Sequence, residues 1–242
     1  MISYLLATKH DIRYSLDTID SILTLPQHDF EIIICSPHEI KTEDARLLWV
    51  KDDKCTGSPY AFNKAYQHSS GKYIAIIIDD VILPQNLLDI LDFMESDFMS
   101  KKKFKVSNIL WDGGPGLPTF GHDEVPDGSP KGDWPVDKFT SVDVKKCPYS
   151  VIPLPVLSRD TIETYLSGHI FHPSFKNHFI DHWLGFYLSK NETYEPNKWR
   201  CPSLKYAMSP NRKPTERTDD SYDEYILKCL TDTFISNETS YV

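Results

Sequence analysis

Two carboxylates, Asp79 and Asp80, follow directly on the apolar run 74–78 in GKYIAIIIDDVILP, residues 71–84. Adjacent acids at a strand end can both reach a hard divalent cation, which prefers oxygen ligands and can bridge to a substrate's phosphates. The plainer alternative has one acid capping the loop before Pro84 and the other solvated. A third acid, Asp181, lies in FKNHFIDHWLGFYL. On a helix turning by about 100° per residue, Phe175, Phe179, Trp183 and Phe186 share one face, and His178, Asp181, His182 and Gly185 form a polar one. The apolar side can pack on a core while the polar side meets a substrate. A carboxylate within hydrogen-bond reach of a hydroxyl can act there as a general base, with His182 orienting it; the plainer alternative is an ordinary solvated helix position.

Four histidines, His169, His172, His178 and His182, crowd the same region with HxxH and HxxxH spacing. Such spacing can hold zinc, but the Glu of a hydrolytic HExxH is absent and Pro173 separates the two pairs, so substrate contact or a structural role is the favoured reading. Asn63 and Lys64 follow TGSP, where the N-terminal amides of a helix can meet a phosphate. Thr8 and His10 follow the first apolar run and are placed to touch a bound base or to shape a turn. Arg159 either complements a phosphate or begins a helix. Trp111, Trp134 and Phe120 flank a Gly/Pro-rich stretch, where they can stack on a sugar or anchor the loop.

These side chains need a scaffold, and the first hundred residues supply an alternation of strand-like and helix-like segments. Strands are expected at 2–7, 30–35, 47–50 and 74–78. The last is rich in β-branched residues and lacks polar alternation, as expected of a parallel strand covered on both faces. Helices are expected over 15–25, over a short stretch in TEDARLL with Thr42 as cap, over 59–68 with Ser58 as cap, and over 84–98. Such alternation predicts an α/β, doubly wound, mostly parallel sheet, and in open sheets of that kind ligands bind outside the carboxyl ends of the strands. Residues 112–135 are dense in Gly, Pro and Asp and read as a functional or disordered loop. Strands near 141–145 and 151–157 and helices over 159–166 and 175–188 are expected beyond it. One domain is expected over 1–208, with halves at 1–111 and 112–208. The segment 209–242 is expected to be an arm or tail, folded on the domain or on a neighbouring copy.

The chain has 242 residues, 40% of them hydrophobic, enough for a sizeable core. Twenty-six Lys and Arg against 35 Asp and Glu give a net charge of -9, which disfavours nucleic acid or another passive polyphosphate as the main partner. No stretch approaches the roughly 18 apolar residues of a spanning helix, and the start lacks the marks of a signal peptide. A cytoplasmic protein with reduced thiols is therefore expected; its five cysteines are dispersed without a CxxC pair.

The order of the pieces SYLLATKH, EIIICSP, TGSPYAFNKAYQHSSGKYIAIIIDDVILP and HPSFKNHFIDHWLGFYLSKN resembles the nucleotide-diphospho-sugar glycosyltransferases of the GT-A fold, family 2. The resemblance covers residues 2–191 and is closest over 57–84. It implies transfer of a sugar from a nucleotide-diphosphate donor to a glycan or other hydroxyl acceptor, with inversion. It also implies Mn²⁺ or Mg²⁺ at Asp80, assisted by Asp79, and Asp181 as the base. Thr8, Ser36 and Asn63 would be donor contacts, and Trp111, Trp134 and His178 would lie on the acceptor side. Three positions depart from the pattern: Ile78 stands at the first acid of the Asp-x-Asp triplet, Ser36 at the acid that contacts base or ribose, and Ile180 at the acid before the catalytic base. These departures suggest a noncatalytic nucleotide- or glycan-binding protein as the alternative. A nucleotidyltransferase is the other rival, although SYLLATKHDIR has no glycine where such enzymes carry a Gly-rich loop.

Overall fold

The computed structural model describes residues 1–26, 28–85, 87–108, 110–111, 154–178, 180–191, 205–208 and 221–237. Four apolar runs form the expected parallel strands: β1 (Ile2–Ala7), β2 (Phe30–Ser36), β3 (Leu47–Lys51) and β4 (Tyr73–Ile78). Two more strands, β6 (Val106–Asn108) and β8 (Pro155–Ser158), complete a sheet in the order β3-β2-β1-β4-β8-β6, with β8 antiparallel to both neighbours. A smaller sheet joins β5 (Val81–Ile82), β9 (Lys205–Met208) and β7 (Leu110–Trp111) in the order β5-β9-β7.

Both faces of the main sheet are covered, which explains why its strands lack polar alternation. Along β1, Ile2, Tyr4 and Leu6 point to one core, where they meet Ile19 and Ile22 of α1 (Leu16–Leu23), Ile90 and Met94 of α3 (Asp89–Glu95) and Met99 of α4 (Asp97–Ser100). Leu5 points to the other. It shares that core with α2 (Ser58–Gln67), α5 (Arg159–Tyr165), α6 (Ile180–Asn191) and Leu227 of α7 (Ser221–Asn237). The segment expected as an arm or tail thus contributes a helix to the main core. No helix among the described residues is long and apolar enough to cross a membrane. Cys35, Cys55 and Cys229 are free thiols.

Three expected elements come out differently. TEDARLL holds no helix: the Asp44 carboxylate accepts the backbone N–H of Arg46 at 2.9 Å and grips its guanidinium, and such side-chain capture favours a turn over a helix. The helix expected over 84–98 becomes α3 and α4, separated at Ser96, whose hydroxyl caps the second of them through the Met99 amide. The helix expected from 175 starts at Ile180, so Phe175 and His178 precede it. The strand expected near 141–145 and the loop 112–135 lie outside the described residues.

The amino edge of the sheet is a polar junction. Glu31 accepts hydrogen bonds from the Ser3 hydroxyl at 2.6 Å, the Ser70 amide at 2.6 Å and the Gly71 amide at 3.2 Å. Arg159 donates to the Gly71 carbonyl at 2.9 Å and the Ser69 hydroxyl at 2.8 Å, with its guanidinium over the Tyr66 ring. Arg159 is therefore a brace at the edge opposite the carboxyl ends of the parallel strands.

Candidate active site

β1 lies between β2 and β4; the chain leaves β1 toward β2 but leaves β4 toward the opposite side of the sheet, and such a reversal opens a crevice at the carboxyl ends of the two strands. Ala7 and Ile78 are paired in register there, which brings Thr8, Lys9 and His10 beside Asp79 and Asp80. The crevice widens into a cleft of about 1380 Å³. Its walls come from the ends of β1, β3 and β4, the loop into α2, the loop 169–178 and the start of α6.

Asp181 and His182 line this cleft in the first turn of α6. The Asp181 carboxylate is partly exposed, and its Oδ1 meets both the His182 backbone N–H at 3.0 Å and the His182 Nδ1 at 2.9 Å. The side-chain contact makes Nδ1 the proton-bearing nitrogen when the imidazole is neutral and Asp181 ionised. Below the pair, Trp183, Leu184, Phe186 and Leu188 are buried, which fixes the helix against the sheet.

Asp79 lines the cleft, and Asp80 follows it in the turn into β5. Ile78 is exposed and also faces the cleft. Thr8 is buried, and its hydroxyl accepts the His10 amide at 3.2 Å, so it shapes the turn while lining the crevice. Ser36 is not part of the lining. Its hydroxyl accepts the His38 amide at 3.1 Å, and its carbonyl accepts from Asp52 and Trp49, binding the ends of β2 and β3 together.

The Asn63 side chain bridges to loop 169–178. Its Nδ2 donates to the Phe171 carbonyl at 2.7 Å and its Oδ1 accepts the Phe171 amide at 3.1 Å. Lys64 lines the cleft and is ion-paired to Asp53. The start of α2 is less open to a phosphate than TGSP suggests. The Ser58 amide is taken by Asn177 Oδ1 at 3.3 Å, and Pro59 has no N–H to offer.

The four histidines separate. His169, His178 and His182 line the cleft, whereas His172 is buried between Phe175 and Trp183. Burial, and secondarily the neighbouring His169, push its pKa down to about 4, so it is neutral near pH 7. Among the described residues, no three His, Cys, Asp or Glu side chains are grouped closely enough to hold a metal ion. Trp111 ends β7, and Trp134 and Phe120 lie outside the described residues.

Two acids escaped the sequence reading. Asp52 follows β3, is 6% exposed, lines the cleft, and accepts the Cys55 amide through Oδ1 at 2.9 Å. The signal was available, because Asp52-Asp53 follows β3 much as Asp79-Asp80 follows β4. Asp223 of α7 accepts the amides of Lys176, Asn177 and His178. Nothing local in the sequence announces that contact.

Known proteins share both the architecture and part of the sequence. Residues 1–349 of TarS from S. aureus, solved with UDP-GlcNAc, superpose with a TM-score of 0.57 at 14% identity, covering 99% of this chain and 68% of that one. Glucosyl-3-phosphoglycerate synthase from Mycobacterium tuberculosis, solved with Mn²⁺, UDP and glucosyl-3-phosphoglycerate, superposes with a TM-score of 0.51 at 12% identity, covering 97% and 79%. The chain has a GT-A fold. In sequence, an uncharacterised glycosyltransferase of Methanocaldococcus jannaschii is 31% identical over 110 residues, 40% of this chain and 38% of that protein. The match thus spans little more than a third of that relative. No protein-family model matches the chain. Within the GT-A fold, the crevice between β1 and β4 and the polar start of α6 form opposite parts of one cleft.

Proposed function

We propose that this chain is a glycosyltransferase that moves a sugar from a nucleotide-diphosphate donor to a hydroxyl acceptor with inversion at the anomeric carbon. The observation that carries this reading is the cleft itself, which collects Thr8, Asp52, Asp79, Asp181 and His182 at the carboxyl edge of a GT-A sheet. The nucleoside would lie in the β1–β4 crevice, with Thr8 and Asp52 as hydrogen-bonding groups. Asp52 then supplies a carboxylate on the strand beside β2, where Ser36 offers only a hydroxyl already engaged in a turn.

The donor's diphosphate carries charge that must be offset as the sugar leaves. Lys9 and Lys176 line the cleft and contribute positive field. A divalent cation fits the chemistry of the Asp79–Asp80 turn: Mg²⁺-like ions are commonly held by one or two carboxylates, substrate phosphates and water, without a full protein cage. Asp80, aided by Asp79, would hold it, and the ion would neutralise the leaving diphosphate. Support comes from the Mn²⁺ in the synthase described above.

On the other side, Asp181 would accept the proton of the attacking hydroxyl. One Asp181 oxygen is engaged by His182, which fixes the carboxylate's rotation and leaves the second oxygen for the acceptor. The hydroxyl oxygen forms the new bond to the anomeric carbon as the bond to the diphosphate breaks. A single base and in-line attack give inversion.

Incubation of the chain and Mn²⁺ with UDP-, GDP-, CDP- and dTDP-sugars and a panel of glycan acceptors tests the proposal. Release of nucleoside diphosphate coupled to acceptor consumption is the expected result. Pyrophosphate release would instead indicate nucleotidyl transfer, and binding without turnover would indicate a noncatalytic protein on this fold.

A further inference from the structure

We propose that the C-terminal helix is part of the catalytic apparatus, with Asp223 acting as the positioning residue that fixes the backbone leading into Asp181. What the positioned group does rests on the glycosyltransferase reading; the grip on the backbone does not. Asp223 is 3% exposed, and its carboxylate receives three converging backbone amides: Lys176 at 2.7 Å on Oδ1, and Asn177 and His178 at 2.8 Å each on Oδ2. Among the described residues no Lys, Arg or His side chain pairs with it. The buried charge is met by these amide dipoles, together with the positive end of α7, in whose first turn Asp223 stands.

The same tripeptide is held from the opposite side by α2. The Ser58 amide donates to Asn177 Oδ1 at 3.3 Å, and the Ser58 hydroxyl donates to the Asn177 carbonyl at 3.4 Å. Gly57 packs so close that a Cβ there would lie 1.7 Å from the Lys176 carbonyl oxygen. Residues 176–178 are therefore gripped between two helix starts, and Asp181 follows three residues later. The two grips differ in kind: close packing at Gly57 and the Ser58 hydrogen bonds seat the tripeptide against α2, whereas the Asp223 carboxylate ties its amides to α7. Tyr222, next to Asp223, also lines the cleft, with the Lys176 ammonium 4.1 Å from its ring centroid. Among the described residues the hydrogen bonds of Asp223 run to 176–178 and not to the ends of β1 or β4, so its loss should disturb the approach to Asp181, and Lys176 with it, while those strand ends keep their pairing.

The test compares full-length Asp223→Ala and Asp223→Asn with the unaltered chain. Hydrogen exchange is measured at the amides of 176–178, calorimetry follows UDP and GDP binding with Mn²⁺, and steady-state kinetics follow transfer. The expected result is exchange at 176–178 accelerated at least tenfold while β1 and β4 keep their protection. Diphosphate affinity should fall by less than about fivefold, through the loosened Lys176 alone, and kcat should fall roughly 10–100-fold, as expected for misplacement of a reacting group on the ångström scale. Asp223→Asn keeps the volume and one acceptor oxygen, so it should give a smaller shift of the same pattern, and it carries the test where the alanine variant does not fold. Unchanged exchange at 176–178, or accelerated exchange with kcat preserved, would overturn the proposal. Absence of transfer by the unaltered chain would reject the glycosyltransferase reading instead, while the exchange pattern would still decide whether Asp223 holds this backbone.

Discussion

Asp181 and His182 concentrate the chemistry in one turn of helix. Replacing Asp181 with Asn preserves the shape and much of the hydrogen bonding but removes the proton acceptor. The expected loss is about 10²–10⁴-fold in kcat, with nucleoside-diphosphate affinity unchanged, read by parallel kinetics and calorimetry. His172 makes a separate prediction. Its folded pKa of about 4 lies below the ordinary histidine value near 6.5, so the unfolded chain binds the proton first as pH falls. Its effect on stability is absent above about pH 6.5 and grows as pH drops toward 4, where it removes on the order of 3 kcal/mol. Denaturant unfolding between pH 7.5 and 4.5 should show this decline, and His172→Gln should flatten it. Asp181 stood out in the sequence mostly through the resemblance carried by HPSFKNHFIDHWLGFYLSKN; the helical spacing behind it holds only from Ile180 onward, because Phe175 and His178 precede α6. His172 was not, because the same letters serve a solvent-facing histidine and one buried between Phe175 and Trp183.

The elements that hold these residues were legible to different degrees. The strands β1, β2 and β4 announce themselves as apolar runs, since burial on both faces leaves few polar positions, whereas β3 is an edge strand with Leu48 exposed. The start of α6 was misplaced because the amides of 176–178, which periodicity assigns to a helix, are captured by Asp223 some 45 residues away. TEDARLL failed for a local reason, in that Asp44 competes for the Arg46 amide. The contact between α2 and loop 169–178 is the most demanding of these junctions. Gly57 has φ of 122° and no room for a Cβ. Gly57→Ala should lower stability by roughly 1–3 kcal/mol from its backbone conformation alone. Displacement of Lys176 adds to that cost, and the variant should show a lower Tm together with weakened transfer. A variant as stable and active as the parent would contradict the packing described for this junction.

At the scale of the whole molecule, the topology brings distant pieces to one edge. The sheet order places the end of β1 beside that of β4, and the helices over one face deliver Asn63, Asp181 and Tyr222 to the same cleft. Sequence alternation foretold the sheet and the edge at which the cleft opens. It could not foretell that the last helix joins the core, because one buried leucine, Leu227, in a polar segment carries too little periodic signal. A donor site at the carboxyl edge of β1 and β4 must bind a nucleoside diphosphate, and calorimetric titration with UDP, GDP, CDP and dTDP reads that binding. Each is added with Mn²⁺ and again with EDTA, to the parent chain and to Asp80→Ala. One diphosphate should bind in the presence of Mn²⁺, weaken at least tenfold in EDTA, and weaken similarly in the variant. Failure of all four to bind the parent chain would contradict the assignment of this cleft to a nucleotide-sugar donor.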